Sequence, residues 1–95
     1  MPYAKIETNL KLDSLKEQAL LKAASGFFSA LLEKSEEHVM VSVSHETAFI
    51  FGKNNDPAAY VELKSMSINE ERCTDFLKEI CGFLNQHLGI LPNRI

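Results

Sequence analysis

An internal repeat constrains the fold of this chain more than any other feature of its sequence. Residues 20–28 (LLKAASGFF) align with residues 76–84 (FLKEICGFL) at a constant offset of 56, and both segments carry Lys, Gly and Phe at the same positions. These matches favour duplication of one unit over the general similarity of amphipathic helices. Each half is therefore predicted to be a βαβ unit with two parallel strands and a helix crossing one face of the sheet.

Together the two units predict an α+β fold, in which a four-stranded mixed sheet carries two helices on one face. Alternating apolar residues predict the strands, and apolar residues three and four apart predict the helices. Asp13 is expected to cap the start of the first helix and Gly89 the end of the second. The predicted strands cover 2–8, 39–43, 47–51 (a short strand) and 58–65, and the predicted helices cover 13–33 and 70–88.

Two further expectations come from the repeat. Ile95 corresponds to Val39, so residues 93–95 are predicted to begin a further strand. Gly26 lies inside the first helix, where glycine costs about 1 kcal/mol relative to alanine. A glycine at such a position predicts close packing against another backbone.

Length and charge narrow the functional class. Ninety-five residues make one domain, and a net charge of −3 with a pI of about 5.5 argues against a nucleic-acid partner. No apolar run is long enough to span a bilayer, which argues against a membrane partner. No basic and apolar leader precedes the fold, so we expect a cytoplasmic protein.

The cysteines and histidines indicate neither a disulfide nor a metal site. Cys73 and Cys81 lie on one predicted helix, about 12 Å apart at 1.5 Å per residue, which is too far for a disulfide. His38, His45 and His87 are scattered along the chain and do not form a zinc-binding pattern with the cysteines.

Pro2 is the candidate catalytic residue that the sequence itself suggests. If Met1 is removed, the Pro2 nitrogen becomes a secondary amine on a rigid ring, which can carry a proton between two substrate atoms when it is neutral. Burial and nearby positive charge both lower the pKa of such an amine. The alternative is structural, because proline is tolerated at the first position of a strand.

Short motifs along the whole chain add to this proline. In order they are Met1-Pro2, Thr8-Asn9-Leu10, Lys34, Phe51-Gly52, Asp56-Pro57, Leu63-Lys64-Ser65, Cys81-Gly82 and Leu91-Pro92-Asn93-Arg94-Ile95. In this order and spacing they resemble the macrophage migration inhibitory factor branch of the tautomerase superfamily.

The resemblance implies a homotrimer with three pockets between subunits. It also implies cofactor-free keto–enol tautomerisation of α-keto acids such as phenylpyruvate, and of dopachrome analogues. Pro2 would then be the acid/base, and Lys34 would attract the substrate carboxylate. For Lys34 a structural alternative stays open, because a lysine in the last turn of a helix is favoured by the helix dipole.

The resemblance also suggests the remaining pocket residues. Met66 matches the position whose backbone N–H contacts the substrate, and Lys64 and Ser65 lie beside it. Tyr3 and His38 are further candidates for the pocket lining. No metal ion or other cofactor is expected in this site.

The sequence departs from the family pattern at four places. Residues 65–69 replace a glycine-rich stretch, and His38 stands where a tyrosine is often found. Residues 58–61 lack the Cys-x-x-Cys of the vertebrate cytokine, so thiol oxidoreductase activity is not expected. The single domain, 1–95, also lacks the C-terminal segment of relatives, which supplies pocket residues and contacts across the trimer.

Two other functions stay open at this point. The chain could be a cytokine-like protein that binds a receptor and is exported without a leader, its pocket being vestigial. It could also be an inactive, truncated paralogue.

Overall fold

The computed structural model describes residues 2–65 and 72–95. Its strands and α-helices follow the order β1, α1, β2, β3, α2, and short 3₁₀ turns precede β2 and follow α2. The bounds are β1 Tyr3–Thr8, α1 Ser14–Leu32, β2 Met40–Ser44, β3 Ala59–Lys64 and α2 Cys73–Leu88, with 3₁₀ turns at Glu36–His38 and Pro92–Arg94.

The described strands form one mixed sheet in the order β2-β1-β3. β1 and β2 are parallel, with Tyr3 opposite Met40, and α1 connects them as the repeat predicts. β1 and β3 are antiparallel, with Tyr3 opposite Lys64. The predicted α+β class with a mixed sheet and two helices is therefore confirmed.

One hydrophobic cluster joins one face of the sheet to both helices. Alternate residues of β1 (Ala4, Ile6 and Thr8) are fully buried, and the residues between them lie on the opposite face. The helices contribute Leu20, Ala24, Phe28 and Leu31 from α1 and Phe76, Ile80, Phe83 and Leu84 from α2. Burial of these side chains holds the two layers together.

Both predicted helix caps are confirmed. The Asp13 carboxylate accepts the backbone N–H of Lys16 at 2.8 Å. Gly89 adopts a left-handed conformation (φ 69°), and its N–H donates to the Asn85 carbonyl at 2.9 Å. The predicted second helix began at residue 70, and the part before residue 72 lies outside the described residues.

The strand predicted at 47–51 is wrong. The Thr47 N–H donates to the Thr8 carbonyl at 3.0 Å, but among the described residues the only ladder contact of this stretch is an isolated bridge between Phe51 and Asn54. Ile50 is 78% exposed. The β-branched and aromatic residues have strand propensity, but among the described residues no neighbouring strand offers this stretch a ladder.

The four-stranded sheet is also not formed by the described residues, which supply three strands. Residues Pro92–Arg94 form a 3₁₀ turn where the repeat predicted the beginning of a strand. Pro92 favours this turn because it fixes φ and cannot donate to a ladder. The Arg94 guanidinium holds the turn on loop 51–57, where it donates to the carbonyls of Phe51, Pro57 and Asp56.

The repeat itself is visible in the packing. Phe27 and Phe83 occupy equivalent positions in the two halves, and their rings stack with centroids 4.4 Å apart and planes 19° apart. Contact between equivalent residues is what an internal two-fold axis between two similar units produces.

The prediction that Gly26 packs closely against another backbone is wrong. A Cβ at this position would lie 3.1 Å from a side-chain atom, Oε1 of Glu36, and among the described residues no backbone atom beyond its own stretch of helix lies within 4 Å. A Cβ at the equivalent Gly82 would have no described atom within 4 Å beyond its own stretch of helix. Gly26 therefore leaves room for the carboxylate of the segment that follows α1.

Among the described residues, neither helix has the length and apolarity that crossing a bilayer requires.

The different surroundings of Gly26 and Gly82 predict different effects of a glycine-to-alanine substitution on stability. Gly82→Ala should raise the free energy of unfolding by about 0.5–1 kcal/mol, because alanine loses less backbone entropy in a helix. Gly26→Ala should raise the free energy of unfolding by less, or not at all, because the Glu36 carboxylate must move to make room for the new methyl group. Urea denaturation of both variants measures the difference, and equal stabilisation would show that the Glu36 contact has no energetic role.

Candidate active site

Pro2 lies directly before β1 and is buried. Its carbonyl accepts the backbone N–H of Met40, the first residue of β2, at 3.0 Å. In the alternation of the strand it has the same phase as Ala4 and Ile6, which face the core. The proline ring is therefore held by the sheet.

Three strand ends meet beside this proline. β2 is parallel to β1 and β3 is antiparallel, so the starts of β1 and β2 lie at the same sheet edge as the end of β3. We call this the proline edge and define it by Pro2, Tyr3, Met40, Lys64 and Ser65. Residues that are distant in sequence are brought together there by the strand register.

Lys34 follows the end of α1. Because α1 connects the end of β1 to the start of β2, the segment that contains Lys34 leads back to the proline edge. Its backbone N–H donates to the Ser29 carbonyl at 3.0 Å, and the Ser29 hydroxyl donates to the Lys34 carbonyl. Glu33 reverses the chain in a left-handed conformation with φ 55°. The backbone of Lys34 is thus fixed while its side chain is exposed.

The structural alternative for Lys34 predicted a lysine within the last helical turn. The last turn of α1 contains no basic residue, and Lys34 lies beyond the C-cap Glu33. Within the described part of the chain, Lys34 forms no ion pair. Its ammonium group is therefore available to an anionic ligand.

His38 ends the 3₁₀ turn Glu36–His38 and is exposed. Its backbone N–H donates to the Ser35 carbonyl at 2.9 Å. It lies between Lys34 and Met40, in the segment that leads to the proline edge. This segment also carries Glu36 and Glu37.

Tyr3 lies on the open face of the sheet, the face opposite the helices. Its hydroxyl forms a 2.7 Å hydrogen bond with the Ser42 hydroxyl. Ser42 is opposite Lys5 in the register, so the Tyr3 side chain extends inward along the sheet from the proline edge. Met40, opposite Tyr3, is 50% exposed.

Lys64 and Ser65 form the other side of the proline edge. Lys64 ends β3 opposite Tyr3, is exposed, and lies 3.5 Å from the Glu62 carboxylate. Ser65 follows it and is half-buried. Met66, the candidate for a backbone contact with the substrate, lies outside the described residues, as do residues 67–71.

The open face of the sheet carries alternating charges. Lys5 lies 2.9 Å from Glu7, and the hydrogen bond and negative charge of that carboxylate raise the pKa of Lys5. Since Lys5 and Lys64 both have carboxylate partners on this face, Lys34 is the better candidate for binding an anion.

The residues at and near this edge include a buried proline and an exposed lysine. Pro2 would become a secondary amine once it is the first residue, and the Lys34 ammonium group has no ion-pair partner among the described residues. Within 2–65 and 72–95, no group of three or more His, Cys, Asp or Glu side chains could hold a metal ion.

The sequence interpretation did not identify Met40 or Ser42 as neighbours of the site. The alternation in residues 39–43 places Met40 and Ser42 on one face. Identifying them requires the register between β1 and β2. Only the pairing of Tyr3 with Met40 shows which residues of β2 lie near Pro2.

Comparison with known proteins gives consistent results along the whole chain. A family model described as Macrophage migration inhibitory factor (MIF) matches residues 1–95. A macrophage migration inhibitory factor homolog of Brugia malayi is 39% identical, with an alignment covering 99% of this chain and 82% of the relative. A homolog of Wuchereria bancrofti is 36% identical with the same coverage.

Solved structures agree with these sequence matches. A macrophage migration inhibitory factor homologue from Prochlorococcus marinus superposes with a TM-score of 0.89 at 30% identity, covering 98% of this chain and 82% of that one. The macrophage migration inhibitory factor from Trichinella spiralis gives a TM-score of 0.87 at 26% identity, covering 97% and 81%.

Proposed function

Because this chain belongs to the macrophage migration inhibitory factor family, we propose that it is a cofactor-free keto–enol tautomerase of α-keto acids such as phenylpyruvate, and of dopachrome-type substrates. One observation carries the proposal: Pro2 is buried at the sheet edge to which the chain returns at Lys34. A proton carrier at this edge and a cation in the segment that leads to it suit an α-keto acid, which has an acidic C–H next to its ketone carbonyl and a negatively charged carboxylate.

Pro2 would act after Met1 is removed. Its neutral nitrogen would take a proton from the carbon next to the substrate carbonyl, so that a C–H bond breaks and its electrons form an enolate. The same proton would then pass to the carbonyl oxygen and give the enol. The reaction is an isomerisation, so atoms balance with no co-reactant. Burial favours the neutral form of the amine that the first step needs.

Lys34 would bind the carboxylate of the substrate. Its backbone is fixed by Ser29, so the ammonium group is presented from a defined position, and it forms no ion pair with a carboxylate of the described residues. Its positive charge would also stabilise the negative charge that develops on the enolate. Ser65 and Met66 are the proposed positions for further contacts to the substrate.

We also propose that the active protein is a homotrimer. Lys34, His38 and Lys64 are exposed in the single chain, and Met40 is half exposed. A site that excludes water from a proton transfer needs walls that these residues do not provide. A second copy at the proline edge would supply them.

Loss of the proline amine should remove the activity. Pro2→Gly is expected to lower kcat/KM for phenylpyruvate by at least about 10²-fold, the usual size of an acid/base contribution. An alanine inserted between Met1 and Pro2 keeps the ring but removes the free amine, and should have the same effect. Ultraviolet absorbance of the enol measures the rate, and intact mass confirms the first residue.

An unchanged rate in either variant would exclude Pro2 from the mechanism. A wild-type chain without activity would favour the interaction protein or the inactive paralogue.

Removing the Lys34 charge should weaken substrate binding. Lys34→Gln is expected to raise KM by about fivefold, which corresponds to about 1 kcal/mol for one partly exposed ion pair. Lys22→Gln is the matched control, because Lys22 is an exposed lysine of α1 and its loss changes the net charge equally. Equal effects of the two substitutions on KM would assign the change to the overall charge of the protein.

The assembly can be measured directly. Sedimentation equilibrium should give a mass of about 32 kDa, three times the 10.7 kDa of one chain. Activity should fall on dilution below the concentration at which the trimer dissociates, because the pocket walls come from neighbouring copies. A monomer with full activity would contradict the proposed pocket between subunits.

A further inference from the structure

We propose that a second site, a groove far from the proline edge, binds small anionic amphiphiles such as medium-chain carboxylates. The groove lies between the start of α1, the end of α2 and the segment that follows β1, and its volume is about 360 Å³. This segment follows the carboxyl end of β1, whereas Pro2 precedes the amino end. The proposal is therefore independent of the proposed tautomerase activity.

The floor of the groove is apolar. Leu12 and Leu20 are 7% and 3% exposed, and Leu88 is half-buried beside them. A volume of this size falls at the lower end of the range for small-molecule sites, so it fits a short hydrocarbon chain and is too small for a protein segment with its own fold. An unbranched chain in the groove would remove its own apolar surface, and that of the half-buried Leu88, from water.

The rim of the groove is basic. Lys11, Lys16 and His87 line it, although the whole chain carries a net charge of −3. In the described part of the chain the Lys16 side chain has no ion-pair partner. His87 is in the last turn of α2, and its ring lies against Phe83 with centroids 4.4 Å apart, which fixes its position at the rim.

Three carboxylates lie near the groove, but none of them lines it. The Asp13 carboxylate accepts the N–H of Lys16 as the cap of α1. Glu17 lies 2.8 Å from the His45 ring nitrogen Nε2. Glu46 is 3.9 Å from the Lys11 ammonium, a loose pair on exposed side chains. The charged side chains that line the groove are those of Lys11 and Lys16, and no carboxylate lines it among the described residues, so the complementary ligand is an anion with an apolar body.

Octanoate is the probe for this site. The ¹⁵N-labelled full chain is titrated with octanoate at pH 7, and amide shifts are followed by NMR. We expect saturable shifts centred on residues 10–20 and 87–88. Octylammonium has the same chain with the opposite charge and should give no saturable shift there. Equal binding of octylammonium, or octanoate shifts confined to the proline edge and Lys34, would overturn the proposal.

A pair of variants tests the role of the charge at the rim. Lys16→Gln should weaken octanoate binding by about fivefold, the contribution of one exposed ion pair. Lys22→Gln removes an exposed lysine of the same helix outside the groove and should leave the Kd unchanged. Equal Kd values for these two variants would overturn the assignment of the carboxylate to this rim.

Discussion

The register between β1 and β2 is the constraint on which the rest of the structure depends. The hydrogen bond from the Met40 N–H to the Pro2 carbonyl begins it, and each following pair continues it to Glu7 opposite Ser44. Because side chains alternate along a strand, a slip of one residue would move Ala4 and Ile6 from the core to solvent. The same slip would expose Pro2, so the burial that stabilises the sheet also determines the environment of the candidate base.

The two ends of the sheet differ in chemistry, and the connection through α1 produces that difference. On the side of the proline edge, the segment between α1 and β2 presents Lys34 from a backbone fixed by Ser29. At the other end, the cap at Asp13 starts the helix beside Leu12 and places Lys16 at the rim of an apolar groove. Lys16 near the start of α1 and Lys34 just after its end thus lie towards opposite ends of the sheet. Neither lysine has a carboxylate partner among the described residues.

Local features were predicted well because their causes are local. Asp13 and Gly89 cap their helices through contacts within one turn, so neighbouring residues are sufficient to recognise them. The stretch 47–51 shows the opposite case. Its residues favour a strand, but a strand also needs a partner, and partners are decided by the whole fold. Gly26 is similar, because its neighbour Glu36 arrives from a later turn of the chain.

The sequence by itself determined the first βαβ unit, the helix caps and, through a family resemblance, the choice of Pro2 and Lys34 as the residues to consider. These depend on periodicity and residue type, which short stretches carry. Only the tertiary structure decided that Pro2 is buried, that Met40 lies beside it and Ser42 bonds its neighbour Tyr3, and that Lys16 and His87 share one groove. Such contacts join distant parts of the chain, and they exist only once strand register and helix packing are fixed.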